Sequence, residues 1–110
     1  MRSSDVCAGL PFNIASSALL THLLARAIGV GVDRLVVTIG DAHVYEKHVE
    51  SAAVQIRRDP FEPPYLSIGR RAPPRGDVDA AMEWLESLVF DDVSIESYTY
   101  HPALRYEMIA

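Results

Sequence analysis

A few side chains in this sequence have the type and spacing to do chemistry. Arg2 and Ser3 stand side by side near the start of the chain. A guanidinium fork holds a phosphate through two parallel hydrogen bonds, while a hydroxyl and nearby backbone N–H groups take the remaining oxygens; a bare Arg-Ser pair at a terminus is more often simply solvated. Asp5 offers a carboxylate that can accept from ring N–H groups, or serve as an ordinary loop acid. Asn13 carries an amide that donates to a carbonyl oxygen and accepts from an N–H at the same time, although beside Pro11 it could equally cap a helix. His43 and Tyr45 lie two apart in a run of strand-forming residues. Side chains at that spacing face one side of a strand and can converge on a single hydroxyl; a half-exposed strand end would alternate in the same way.

Cys7 is the only cysteine. It excludes an internal disulfide and any zinc site built from several cysteines of one chain, and it fits a reducing, cytoplasmic setting. With no His adjacent in sequence to activate it, Cys7 reads as a small buried hydrophobe. Of the four His residues, His43 and His48 have the wrong spacing for one helix or strand face, and His22 sits in a core-like helix. No metal is expected.

The elements that must position these groups follow from pattern. Leu10 to Gly29 is poor in breakers, with Ile14, Ala18, Leu19, Leu23 and Ala27 at helical spacing, which predicts a largely buried helix entered near Pro11 and ended by Gly29. Asp33 to Tyr45 predicts a strand with one chemically special end. Glu46 to Arg58 predicts a helix stopped by Asp59-Pro60. Tyr65 to Ile68 predicts a short strand, Gly69 to Asp77 a loop, Asp79 to Leu88 an amphipathic helix, and Val93 to Tyr98 a final strand. The order is that of an α+β or mixed α/β chain.

At 110 residues, 49% apolar and 23% charged, the composition is that of one globular domain covering residues 1–110. The net charge of -5 leaves no basic stripe to release counterions from a nucleic-acid backbone. His22, Arg26 and several Gly residues break the apolar stretches, so no membrane span is expected.

Three segments then coincide in order: RSSDVCAGLPFNIAS at Arg2 to Ser16, GDAHVYEKH at Gly40 to His48, and YHPALRYEMIA at Tyr100 to Ala110. Together they resemble the thymidylate synthase family, whose corresponding patterns are RSxDxxxGLPFNIAS, GDxHxYxNH and DPHPxIK. RRDPFEPPYL, between the last two, is similar to the family's REPRPLPKL. The resemblance covers nearly the whole chain. It implies the C-terminal portion of a three-layer α/β sandwich with a mixed β-sheet, in a homodimeric enzyme that methylates dUMP to dTMP using 5,10-methylenetetrahydrofolate as co-substrate.

Carried over residue by residue, the resemblance makes Arg2 and Ser3 the phosphate pair and Asn13 the base reader. His43 and Tyr45 become the contacts to the deoxyribose 3'-hydroxyl, and Asp5, Gly9 and Ala110 the folate contacts. Asn13 fits uracil, whose O4 accepts and whose N3–H donates, whereas an Asp is expected in cytosine-using relatives. The family's nucleophilic cysteine, which attacks C6 of the base, is expected before the RSxD motif and thus outside these residues. That leaves no catalytic residue here, an inactive isolated chain, and as partner a homodimer or a missing N-terminal half.

Some positions depart from the family pattern. Ser17 replaces a common Tyr, Glu46-Lys47 precedes His48 where a small polar residue and Asn are usual, and Glu107 replaces a Pro in the tail that closes over the ligands. A uracil-nucleotide hydroxymethylase fragment and a non-catalytic truncated or degenerate domain are the alternatives these departures leave open.

Overall fold

The long apolar segment after Gly9 folds as the sequence requires. In a computed structural model that describes residues 1–107, α1 runs over Leu10–Ile28. Gly9 provides the entry, its carbonyl accepting from the Asn13 N–H at 3.1 Å. The exit is a left-handed turn. Gly29 has φ +76°, and the Val30 N–H reaches back to the Ala25 carbonyl at 2.9 Å, the pattern in which a glycine just past the helix satisfies otherwise orphaned carbonyls. Arg26 in the last turn complements the negative end of the helix dipole.

The remaining elements are short. Strands β1 (Ser3–Asp5) and β2 (Asp41–His43) pair in parallel, Ser3 opposite Asp41, Ser4 opposite Ala42 and Asp5 opposite His43. A 3-10 turn at Glu46–His48 leads directly into α2 (Val49–Gln55). Strands β3 (Tyr65–Ile68) and β4 (Val93–Glu96) form an antiparallel pair, with α3 (Val78–Glu86) and a 3-10 turn at Phe90–Asp92 between them. The chain is therefore mixed α/β, with two separate two-stranded sheets among the described residues, one parallel and one antiparallel.

These elements group into two compact units. One comprises Met1–Ser17, Val36–Phe61 and the tail from Tyr100; the other comprises Ala18–Leu35 and Glu62–Thr99. In the second unit Ala27 of α1 packs with Ala81 and Trp84 of α3, surrounded by Leu23, Ile68, Leu85 and Leu88. Trp84 buries its ring and donates its indole N–H to the Arg71 carbonyl at 2.8 Å, the compensation a buried indole needs. Asp77 caps α3, its side chain accepting from the Ala80 N–H at 2.9 Å. Arg70 bridges Asp92 at 2.9 Å and Ser87 at 3.1 Å. The Asp92 carboxyl is held below the usual carboxylate range, first by the Val89 N–H and then by Arg70, against the opposing effect of desolvation.

Three expectations change. The strand expected over Asp33 to Tyr45 is a ladder only at Asp41–His43; the β-rich run from Leu35 to Ile39 has no ladder partner among the described residues, and a strand exists only where another strand pairs with it. The helix expected to be largely buried buries only Ala25 and Ala27, while Phe12, Ile14, Leu20 and Leu24 are exposed. A helix apolar all round needs cover on every side, and α3 covers one. Strand β1, absent from the sequence reading, is too short to show a period.

An added Cβ at Gly29 would lie 2.9 Å from Cγ of Arg75, whereas one at Gly31 meets nothing within 4 Å. Gly29→Ala is therefore expected to lower stability by about 1–2 kcal/mol in urea titrations, through the left-handed backbone penalty and the displaced arginine. Gly31→Ala should stay within about 0.5 kcal/mol. Equal effects at both positions would contradict this reading of the helix end.

Candidate functional site

The parallel ladder joins the first two motifs. Backbone hydrogen bonds run from Gly40 N to Met1 O (3.1 Å), from Asp41 N to Arg2 O (3.0 Å) and from Val6 N to His43 O (3.0 Å). They bring the segment carrying Arg2, Ser3 and Asp5 alongside the one carrying His43. Every described residue singled out from the sequence (Arg2, Ser3, Asp5, Gly9, Asn13, His43 and Tyr45) falls in the first unit. Arg2, Ser3 and Asn13 are exposed; Asp5, Gly9, His43 and Tyr45 are half-buried. Ala110 lies outside the described residues.

Asn13 is the fourth residue of α1 and therefore sits inside the helix rather than at its cap. Gly9 lies between it and Asp5. A Cβ there would lie 3.4 Å from the Asp5 carbonyl and 3.8 Å from the Asn13 amide nitrogen, ordinary contact distances that leave room for a methyl group. The β2 ladder ends at His43, but the chain stays extended through Tyr45 (φ -73°, ψ 145°). The two rings accordingly meet edge to face, 5.2 Å between centroids.

Asp5 is fixed from both sides. One carboxylate oxygen, Oδ1, accepts from the backbone N–H of Cys7 at 3.0 Å and of Ala8 at 3.3 Å; the other, Oδ2, lies 3.6 Å from Nδ1 of His48. Partial burial pushes its pKa up, yet the N–H groups of Ala8 and Cys7, with His48 and His43, outweigh that and hold it below the usual carboxylate range. Cys7 shows the opposite: burial, then the Asp5 charge, pushes its thiol up, so unaided it is a poor nucleophile at neutral pH.

The sequence reading missed His48 as a site residue. It is the most buried large side chain described, 1% exposed, and it ties the tail to the ladder. Nε2 is 2.9 Å from the Glu107 carbonyl. Its ring packs edge to face against Tyr45 and Tyr106, at 5.6 and 5.3 Å, so His43, Tyr45, His48 and Tyr106 form a continuous row of rings. The tail is held further by Ser51 Oγ donating to the Arg105 carbonyl (3.2 Å), Arg58 donating to the Pro102 carbonyl (2.8 Å) and the Tyr106 hydroxyl donating to Gln55. Burial, then the nearby Cys7, raises the Tyr106 pKa, with Arg58 opposing. The signal for His48 was its place three residues after Tyr45, one 3-10 turn away.

Asp5, Cys7 and His48 also present one ligand atom each within 4.8 Å of one another. Spacing along a single helix or strand does not foresee this grouping, because the three come from β1, the turn after it and the end of the 3-10 turn that precedes α2.

His48→Ala is expected to cost about 2–4 kcal/mol, from the packing lost and the Glu107 carbonyl left unpaired. Tyr106→Phe, which removes only the hydroxyl bonded to Gln55, should cost about 1 kcal/mol. In hydrogen exchange both should loosen the tail amides from Tyr100 to Glu107 and leave those of α3 unchanged. Unchanged tail protection in both variants would refute the anchoring role.

Comparison with known proteins agrees with the motifs. The thymidylate synthase family model matches residues 1–110. A thymidylate synthase from Staphylococcus haemolyticus is 38% identical over 104 residues, covering 94% of this chain and 29% of that protein. One from Agaricus bisporus is 41% identical over 107 residues, 97% of this chain and 33% of that protein. The solved structure of thermostable thymidylate synthase A from Bacillus subtilis superposes with a TM-score of 0.80 at 28% identity, over 97% of this chain and 35% of the other. The chain thus spans about a third of the length of these relatives and over that span shares the fold of the solved one: it belongs to the thymidylate synthase family.

Proposed function

We propose that this chain supplies the nucleotide- and folate-binding part of a thymidylate synthase, which transfers the methylene group of 5,10-methylenetetrahydrofolate to C5 of dUMP and reduces it to the methyl of dTMP. The observation that carries the reading is the β1–β2 ladder, because it sets the RSSD and GDAH segments side by side in a chain of this family. Residues 1–110 act in it as part of one catalytic domain.

Each role follows from the chemistry of the group. Arg2 and Ser3, both exposed, take the phosphate; the guanidinium supplies charge and the hydroxyl fills a remaining oxygen. The Asn13 amide donates to O4 of uracil and accepts from N3–H, a pairing that cytosine reverses. His43 and Tyr45, whose rings already touch, hold the 3'-hydroxyl. Asp5, ionised near neutral pH, accepts from the pterin N–H groups of the folate, with Gly9 letting the backbone come close. The cysteine that attacks C6 and makes C5 nucleophilic is supplied from outside these residues, since Cys7 has a raised pKa and lies after the RSxD segment. The working enzyme is a homodimer, in which apolar side chains exposed here are covered.

A dUMP titration followed by NMR tests the site. The amides of Ser3, Asn13, His43 and Tyr45 are expected to shift together and saturate. His43→Ala should weaken binding about 5- to 30-fold, the equivalent of about 1–2 kcal/mol for a lost hydrogen bond. Asn13→Asp should shift preference from dUMP to dCMP. The purified chain alone should form no dTMP. Binding by dUMP that is indifferent to His43 and Asn13, or turnover by the chain alone, would overturn these assignments.

A further inference from the structure

We propose that Asp5, Cys7 and His48 form a binding site for one divalent transition-metal ion of the zinc class, in which the ion competes with the folate pterin for the Asp5 carboxylate. The decisive observation is the orientation of the His48 ring. A carbonyl oxygen can only accept, so the 2.9 Å contact to the Glu107 carbonyl puts the proton on Nε2. In the neutral ring the lone pair is then on Nδ1; in the protonated ring Nδ1–H faces the Asp5 carboxylate, and metal binding displaces that proton to solvent. That atom is buried without a hydrogen-bond partner among the described residues in a side chain 1% exposed, and burying a polar atom unpaired is costly. A metal-bound imidazole characteristically donates its other N–H to a backbone carbonyl or carboxylate, which is the arrangement of His48.

What Nδ1 faces completes the set. Oδ2 of Asp5 lies 3.6 Å away, too far for a hydrogen bond. It is close to the roughly 3.3–3.6 Å edge between ligands bound at about 2.0–2.3 Å around a tetrahedral zinc. The Cys7 sulfur lies within 4.8 Å of both atoms, wider than that edge, so binding requires the three ligands to draw together around the ion. The Asp5 carboxylate is held in place, because Oδ1 is occupied by the N–H groups of Cys7 and Ala8 and Oδ2 is left for the ion. One thiolate, one imidazole and one carboxylate make a donor set of borderline softness, suited to Zn²⁺ or Co²⁺ and not to Mg²⁺ or Ca²⁺. Three protein ligands leave the fourth position to water. Binding displaces the thiol proton to solvent, and the ion, once bound, holds the sulfur as thiolate despite the Asp5 charge beside it.

Cobalt reports on the sulfur directly. Titrating the purified protein with Co²⁺ under a non-thiol reductant is expected to produce a near-ultraviolet sulfur-to-cobalt charge-transfer band and visible bands of tetrahedral intensity. They should saturate at one ion per chain and be abolished by added Zn²⁺. Cys7→Ser, nearly isosteric, should remove the charge-transfer band. Changing a group that merely orients a metal-bound imidazole costs about 10- to 100-fold in affinity, so loss of the thiolate should weaken Zn²⁺ binding by at least roughly 100-fold. Cys7→Val, which suits the half-buried position, should behave like Cys7→Ser while keeping the circular dichroism of the parent, separating ligand loss from misfolding. If the unaltered protein gives no charge-transfer band, or both Cys7 variants bind Zn²⁺ as tightly as the parent, the site does not exist. None of these readouts depends on dUMP or folate, so they stand or fall separately from the proposed activity.

Discussion

The parallel ladder between β1 and β2 is the constraint on which the candidate site depends. It is only three residues long on each side, and each of its backbone bonds is worth about 0.5–1.5 kcal/mol net. A parallel pair cannot be closed by a tight turn. It needs a long crossover, and here α1 forms much of that connection. The strong local helix therefore serves the site indirectly. It carries Asn13 in its first turn, and its length makes a parallel return to β1 possible.

A ladder so short needs support from its flanks, and in the first unit His48 supplies it. The side chain is nearly inaccessible, meets the rings of Tyr45 and Tyr106, and ends on the Glu107 carbonyl. The row from His43 to Tyr106 links the end of β2 to the tail through edge-to-face contacts, each contributing about 0.5–1.5 kcal/mol beyond its burial. Arg58 and Ser51 add hydrogen bonds to tail carbonyls. The tail up to Glu107 is thus docked on the elements that carry the candidate site residues, although Glu107 departs from the family pattern.

The second unit is stabilised differently, by ordinary helix packing with few polar devices. Ala27 and Ala81 are small enough to let α1 and α3 approach, and Trp84 fills the space between them. The charged links of Arg70 to Asp92 and Ser87 brace the turn before β4. None of the residues assigned a chemical role belongs to this unit, which fits a scaffold.

The sequence by itself determined the family, the α/β class and most of the elements. Leu10–Ile28, Tyr65–Ile68 and the core of the third helix were legible because residue periodicity and the terminal Gly29 act locally, within a few residues; the Asp77 cap was read as loop. It also singled out Arg2, Ser3, Asn13, His43 and Tyr45 as candidate nucleotide contacts, since such candidacy is written in residue type and motif order. Only the tertiary structure decided that Leu35 to Ile39 forms no ladder within the described chain, that β1 exists, and that Asp5, Cys7 and His48 meet. Those outcomes depend on which segments pair across long separations, and pairing is set by partners that no local window contains. His48 is the clearest case. Its spacing from His43 argued against a metal and gave it no other role, and that role came from Glu107, fifty-nine residues away, whose backbone carbonyl fixed the ring.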